Sequence, residues 1–257
     1  MSHISFSELK VWNECPHKHK LQYINKEKVF TSTEYTCFGT AMHETCEKFL
    51  LKEIREDQHD EYFETKFKQE LQFIQDQVEV NEVLVLDMVA QGKAILSELY
   101  QSIKDYLGEY EVVSTEESLY ERIQSLHFEY DFKGFIDLVL KTPDGKTHII
   151  DWKTCSWGWD TKKKSEPMTT YQLTYYKHFY AQKHNVDPST IETHFALLKR
   201  TAKKNRIEFF RVSSGNKKIE NAKNLLTKAI TAIKNEKYIK NRLSCNGCEF
   251  YKTDLCK

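Results

Sequence analysis

The chain has 257 residues, 38 Lys+Arg balanced by 38 Asp+Glu, and 13% aromatics. That length can bury a large single core, and the neutral balance excludes a global field drawing the chain to nucleic acid or membrane, so any polyanion footprint must be local. Eight Gly and four Pro exclude a linker-like composition; no run approaches the ~18 apolar residues of a spanning helix, and the start MSHISFSELK has no secretory-leader pattern, so an intracellular protein is expected (cytoplasmic, or in the host cytoplasm for a viral chain).

Residues 5–24 read as a helix with Ser5 or Ser7 as cap and Leu9, Trp12 and Leu21 on its apolar side. Cys15-Pro16 should interrupt it. Residues 25–38 read as a polar loop, and Gly39 to Glu44 opens a second helix reaching about Ile54. Leu84, Met88, Ile95, Leu99, Ile103 and Leu107 recur at helical spacing, so 60–107 is expected to be helical. The segment 55–110 is read as a helical insertion beside a sheet, a candidate lid. The β region begins near Val112 and takes in Ser118 to Ile123 and Leu126 to Phe132. A hairpin follows from Lys133 to Thr154, its turn at Thr142-Pro143-Asp144-Gly145 supplying the torsions that close it. Pro167 to His184 reads as a helix with proline at its start. Strands at Glu192 to Leu198 and Arg206 to Val212 flank a basic connection, and a lysine-rich helix spans about 216–238. Strands framed by helices make the class α/β. No repeat and no glycine-rich nucleotide loop is present.

Within the hairpin, Phe135 to Leu140 is apolar on both faces apart from Asp137, and the second strand ends in Asp151-Trp152-Lys153. Alternation places Asp151 and Lys153 on one face and Trp152 on the other. A salt-bridged pair of strand-end acids is the ordinary explanation, but a solvated acid would not need the apolar setting of Asp137. Buried carboxylates cost several kcal/mol unless a cation shares the site, so a divalent metal is expected. His43 sits in a helical Gly-x-x-x-His-Glu run, with Glu44 and Glu47 as flanking acids. Gln172 and Tyr176 share one helix face. Lys162 to Lys164 and Lys199 to Arg206 are candidate local basic patches. The seven cysteines, an odd number, argue against a disulfide framework. Cys245-x-x-Cys248 and Cys256 form a metal-ligand pattern lacking a fourth member, which Cys15 supplies if the termini meet. Four thiolates suit an iron–sulfur cluster or structural zinc. Cys37, Cys46 and Cys155 read as ordinary buried thiols.

The order Asp137, hairpin, Asp151-x-Lys153 resembles the PD-(D/E)xK nuclease superfamily. Gly39-x-x-x-His43, Gln172-x-x-x-Tyr176 and the cysteines resemble its RecB-type branch, which includes CRISPR-adaptation exonucleases. The resemblance runs from Leu9 to Cys256 and is weakest over 55–115; Asp151 stands where many superfamily members have Glu, and the RecB-type branch accepts Asp. It implies one nuclease domain over 1–257 with a restriction-endonuclease-like core, a mixed central sheet flanked by helices, and a metal-cluster segment at 240–257. It further implies Mg or Mn held by His43, Asp137, Asp151 and the Trp152 carbonyl, with Lys153 orienting or deprotonating water and Gln172 and Tyr176 binding DNA. A 4Fe–4S cluster on Cys15, Cys245, Cys248 and Cys256 would clasp the two ends, zinc being the alternative. The expected activity is a metal-dependent exonuclease on single-stranded DNA ends, in repair or recombination. The rivals are a nuclease subunit active only with a helicase or integration partner, and a non-catalytic DNA-binding relative. No membrane role is expected.

Overall fold

The structure is a computed structural model that describes residues 2–27, 32–76 and 78–257. A six-stranded mixed sheet runs through its centre: β1 (His3–Ser5), β2 (Glu111–Arg122), β3 (Asp131–Lys141), β4 (Thr147–Cys155), β5 (Ile191–Lys199) and β6 (Ile207–Arg211). The order is β1-β3-β4-β5-β6, with β2 on the other edge of β3. β1 lies parallel to β3 and β4 parallel to β5; the remaining pairs are antiparallel.

Nine helices of α type cover the sheet among the described residues: α1 (Phe6–Glu14), α2 (Pro16–His19), α3 (Glu34–Leu50), α4 (His59–Gln72), α5 (Glu82–Leu96), α6 (Leu99–Leu107), α7 (Thr161–Ser165), α8 (Pro167–His184) and α9 (Asn216–Lys234). One core lies between the sheet and α1, α8 and α9, with Leu9, Phe132, Ile136, Phe179, Phe195 and Leu226 buried in it. A second core lies on the opposite face under α3 to α6, built from Phe38, Phe63, Phe67, Met88, Leu138 and Trp152. The α/β expectation and the mixed sheet flanked by helices are therefore what the chain forms.

Several boundaries differ from the sequence reading. α3 begins at Glu34, not at Gly39, because Thr33 N–H donates to Thr36 Oγ1 at 2.8 Å and closes the first turn; residues 28–31 of the expected loop lie outside the described residues. Residues 124–128 turn instead of forming the strand expected from Leu126, and β3 starts only at Asp131. β1 was not expected at all. The segment read as an insertion or lid supplies α4, α5 and α6, which bury Phe63, Phe67, Ile95 and Ile103 against the sheet. It is the covering layer of that face. Pro167 starts α8 as expected, and Asn185 ends it in the left-handed conformation.

Candidate active site

The site lies where the sheet forks. β3 and β4 pair only from Leu138↔Ile150 to Lys141↔Thr147, while β4 continues beside β5 to Cys155↔Lys199. β1 takes up the same edge of β3 only at residues 131–133. Between these pairings residues 134–137 of β3 have no strand partner on that edge among the described residues. Asp137 closes the apex: its Oδ2 accepts the Trp152 N–H at 2.7 Å, replacing the ladder bond that β3 no longer supplies.

Four of the expected residues converge here. His43, on α3, places Nδ1 3.6 Å from Asp137 Oδ2, and Lys153 places Nζ 2.5 Å from Asp151 Oδ2. Asp151 is 1% exposed. Its Oδ1 accepts from Gln172 Nε2 at 2.7 Å, but Oδ2 receives no well-directed hydrogen bond; the lysine neutralises that oxygen without being aligned to it. Burial pushes both carboxyls up to about 6, with Lys153 opposing the shift in each case. Burial, and then the lysine charge, lowers the His43 pKa to about 4, so the imidazole is neutral and free to act as a ligand. Lys153 goes the other way: burial disfavours its charge, but Asp151 and Asp137 outweigh burial and hold the ammonium protonated. Of the two roles expected for Lys153, this favours orienting water and stabilising anionic charge over acting as a base.

Gln172 Nε2 also donates to Tyr176 Oη at 3.1 Å. Gln172 therefore positions Asp151, and Tyr176 supports Gln172. Tyr176 in turn packs on β3 where residue 134 has no side chain: a Cβ on Gly134 would lie 3.0 Å from the Tyr176 ring. Glu44 is turned away, accepting from Tyr62 at 2.7 Å and pairing with Lys66 at 3.0 Å. The negative charge of Glu47 adds, after burial, to what raises the Asp137 pKa.

Sequence reasoning missed Glu116. A bulge between Val112 and Ser114 resets the β2 register, so Glu116 falls opposite Asp137, between Thr115↔Leu138 and Glu117↔Ile136. Its φ of 46° is a left-handed conformation that costs a non-glycine residue energy. Partial desolvation first, then Glu47 and Asp151, hold its carboxyl above the usual range. The only signal in the sequence was the unbroken pair Glu116-Glu117 in a strand.

The termini do meet. Cys15, Cys245, Cys248 and Cys256 all line one cavity of about 310 Å³. The Asn241 N–H donates to Cys15 Sγ at 3.3 Å, Asn241 Nδ2 to the Glu14 carbonyl at 2.8 Å, and Lys18 pairs with Glu249 at 3.0 Å. The thiols do not, however, converge to within 4.8 Å of one another as a ligand group; the expected cluster arrangement is not what the structure holds. Of the other cysteines, Cys37 and Cys46 are buried, whereas Cys155 is half-buried and donates to the Trp157 carbonyl. The expected basic patches are partly engaged: Lys164 and Lys199 both pair with Glu208.

A family profile of the PD-(D/E)XK nuclease superfamily matches residues 3–256. The chain belongs to that superfamily. Membership makes it a nuclease-family protein of a class that uses divalent metal and acts on DNA. No curated protein matches the sequence. Among solved structures, a protein of Eubacterium rectale named provisionally as an exonuclease is similar in fold, with a TM-score of 0.60 at 13% identity over 98% of this chain and 88% of that one. A second, SSO0001, gives a TM-score of 0.45 at 13% identity over 97% and 84%. The restriction-endonuclease-like core expected from the resemblance agrees with the first of these. No helix among the described residues is long and apolar enough to cross a membrane.

Proposed function

We propose that this member of the superfamily is a Mg- or Mn-dependent deoxyribonuclease of the RecB-type branch, cutting single-stranded DNA from its ends. The observation that supports it is the fork: a buried and a half-buried carboxylate, a neutral imidazole and a protonated lysine facing one point, with Asp151 Oδ2 left without a hydrogen bond. That donor set fits a hard divalent cation with one imidazole ligand. His43, Asp137, Asp151 and the Trp152 carbonyl would hold it. A bound cation supplies Lewis-acid activation and charge neutralisation at the scissile phosphate. Lys153 adds a fixed ammonium for the charge that develops on phosphorus and its oxygens. Gln172 keeps Asp151 in place, and Tyr176 keeps Gln172 in place.

The four thiols share one cavity between the two ends of the chain, and we read it as the seat of a 4Fe–4S cluster, with zinc the alternative; either would draw the sulfurs in from where they stand. Visible charge-transfer absorption with iron and sulfide in stoichiometric amount supports the cluster; zinc alone replaces it. For the nuclease, end-labelled linear and circular single strands are incubated with Mg or Mn and the wild type or Lys153→Ala. Loss of linear strands, intact circles and an inactive variant are expected. Cleaved circles would make it an endonuclease, and no cleavage by the wild type would overturn the reading.

A further inference from the structure

Beside the fork lies an open groove of about 630 Å³ between β3 and the N-terminal helices. Gln172 and Tyr176 form the wall it shares with the active site. Its floor is the stretch of β3 that lacks a partner on one edge, and there Phe135, two residues before Asp137, is 45% exposed. Ile24, 48% exposed, lies across from it with Tyr23. Lys133 and Lys26 supply positive charge to the same groove, with Lys133 Nζ 5.8 Å from the Phe135 ring. Glu8, the one acid among the described lining residues, is engaged by His19 at 2.9 Å.

An exposed aromatic costs solvation unless something covers it. A π-face in a groove that two lysines also line, beside the proposed phosphodiester-cleaving site, has the composition of a single-strand track, in which bases stack on aromatic rings and ammonium groups follow the phosphates. We infer that this groove is a nucleotide subsite in which Phe135 stacks an unpaired base next to the scissile phosphate and Lys133 and Lys26 hold the flanking phosphates. Inside a duplex the faces of a base are covered by its stacked neighbours, so the subsite favours an unpaired strand. This inference rests on the nuclease reading above and deepens it.

The test is binding of fluorescein-labelled oligothymidylate, measured by anisotropy in Ca to suppress cleavage, by the wild type, Phe135→Ala and Phe135→Trp. The alanine variant is expected to lose roughly 5- to 100-fold in affinity, tryptophan to restore it, and an abasic strand of equal length to bind both proteins alike. Lys133→Ala is expected to reduce the salt slope by about one. Equal affinity of alanine variant and wild type for oligothymidylate overturns the subsite; so does an equal loss on the abasic strand, which would make the effect a general distortion. Cleavage of bis(p-nitrophenyl) phosphate by the wild type reads the catalytic proposal separately. Failure there counts against the nuclease and leaves the subsite to be decided by the binding result.

Discussion

β4 carries two polar clusters on opposite faces. Near its start, His148 meets Glu192 and His194 from β5, and the ligand atoms of these three lie within 4.8 Å of one another. Further along, Asp151 and Lys153 meet Asp137 and His43 at looser spacing. By distance alone the first looks more like a metal centre. Its hydrogen bonds say otherwise. Tyr106 Oη, His194, His148 and Thr142 form one chain with steps of 3.0, 3.1 and 3.0 Å, and Thr142 donates to Asp144. One choice of tautomers lets Tyr106 donate and His194, His148 and Thr142 each accept once and donate once. Glu192 is matched by Lys146 at 3.2 Å and Arg211 at 3.3 Å. At the fork, by contrast, the buried Asp151 and the half-buried Asp137 share one lysine, and an Asp151 oxygen has no hydrogen bond. Unanswered charge, more than ligand spacing, separates a site built for a cation from a structural network.

The largest expected effect tests that distinction in catalysis. Lys153→Ala should lower single-turnover cleavage on the order of 10²–10³-fold, the usual cost of losing a fixed charge aimed at the transition state. His194→Phe should keep most of the cleavage. If both variants were equally inactive, the contrast between the clusters would fail.

The reverse holds for stability. His194→Phe keeps an aromatic ring, slightly larger, but leaves His148 Nδ1 and the Tyr106 hydroxyl without partners, which should destabilise the fold by about 1–3 kcal/mol. Urea denaturation in a chelator reads this directly. An unchanged midpoint would mean that water replaces the chain and that the network is not structural.

Which parts of this could be read from the sequence follows the physics of each. The hairpin was visible because a turn with fixed torsions separates two apolar runs, and Asp137 stood out as the one charge inside the first. α8 was visible from Pro167 at its start. β1 was not, since three residues become a strand only through pairing with β3. Gly39 was read as a helix start, but it lies inside α3, where a Cβ would sit 3.3 Å from Thr154 Oγ1; its smallness lets the helix approach the active end of β4. Glu116 depends on a register shift in β2, and periodicity cannot show a bulge. The exposure of Phe135 was hidden for a related reason: an apolar run reads as buried on both faces, and only the fork leaves one side open.

A smaller effect comes from adding the cation. With free Mg or Mn at ten times its Kd, the wild type should gain about 1.4 kcal/mol, a rise of roughly 3–6 °C in the melting midpoint for a chain of this size. Asp151→Asn should gain almost nothing. His194→Phe should still gain the full amount if the ion sits at the fork as proposed. A shift lost in His194→Phe and kept in Asp151→Asn would move the metal to the other cluster.

The smallest expected effect is the net response of the wild type to mild acid, because the two clusters oppose each other. Burial lowers the pKa of His194 to about 3 and also lowers that of His148. Below pH ~6.5 the unfolded chain takes up protons that the folded histidines refuse, so stability falls on acidification, by about 1 kcal/mol for His194 at pH 6 and in the same direction for His148. The carboxyls of Asp137 and Asp151 are raised to about 6, so between about pH 6 and 4 the folded state holds more protons than the unfolded chain and stability rises on acidification. Without divalent cations, the two slopes should partly cancel between pH 7 and 5. Asp137→Asn with Asp151→Asn removes the carboxylate contribution and should leave a chain that weakens steadily over that range. His148→Phe with His194→Phe should instead strengthen, relative to its own value at pH 7. Parallel pH curves for the two double variants would show that neither cluster holds the protonation state its surroundings dictate.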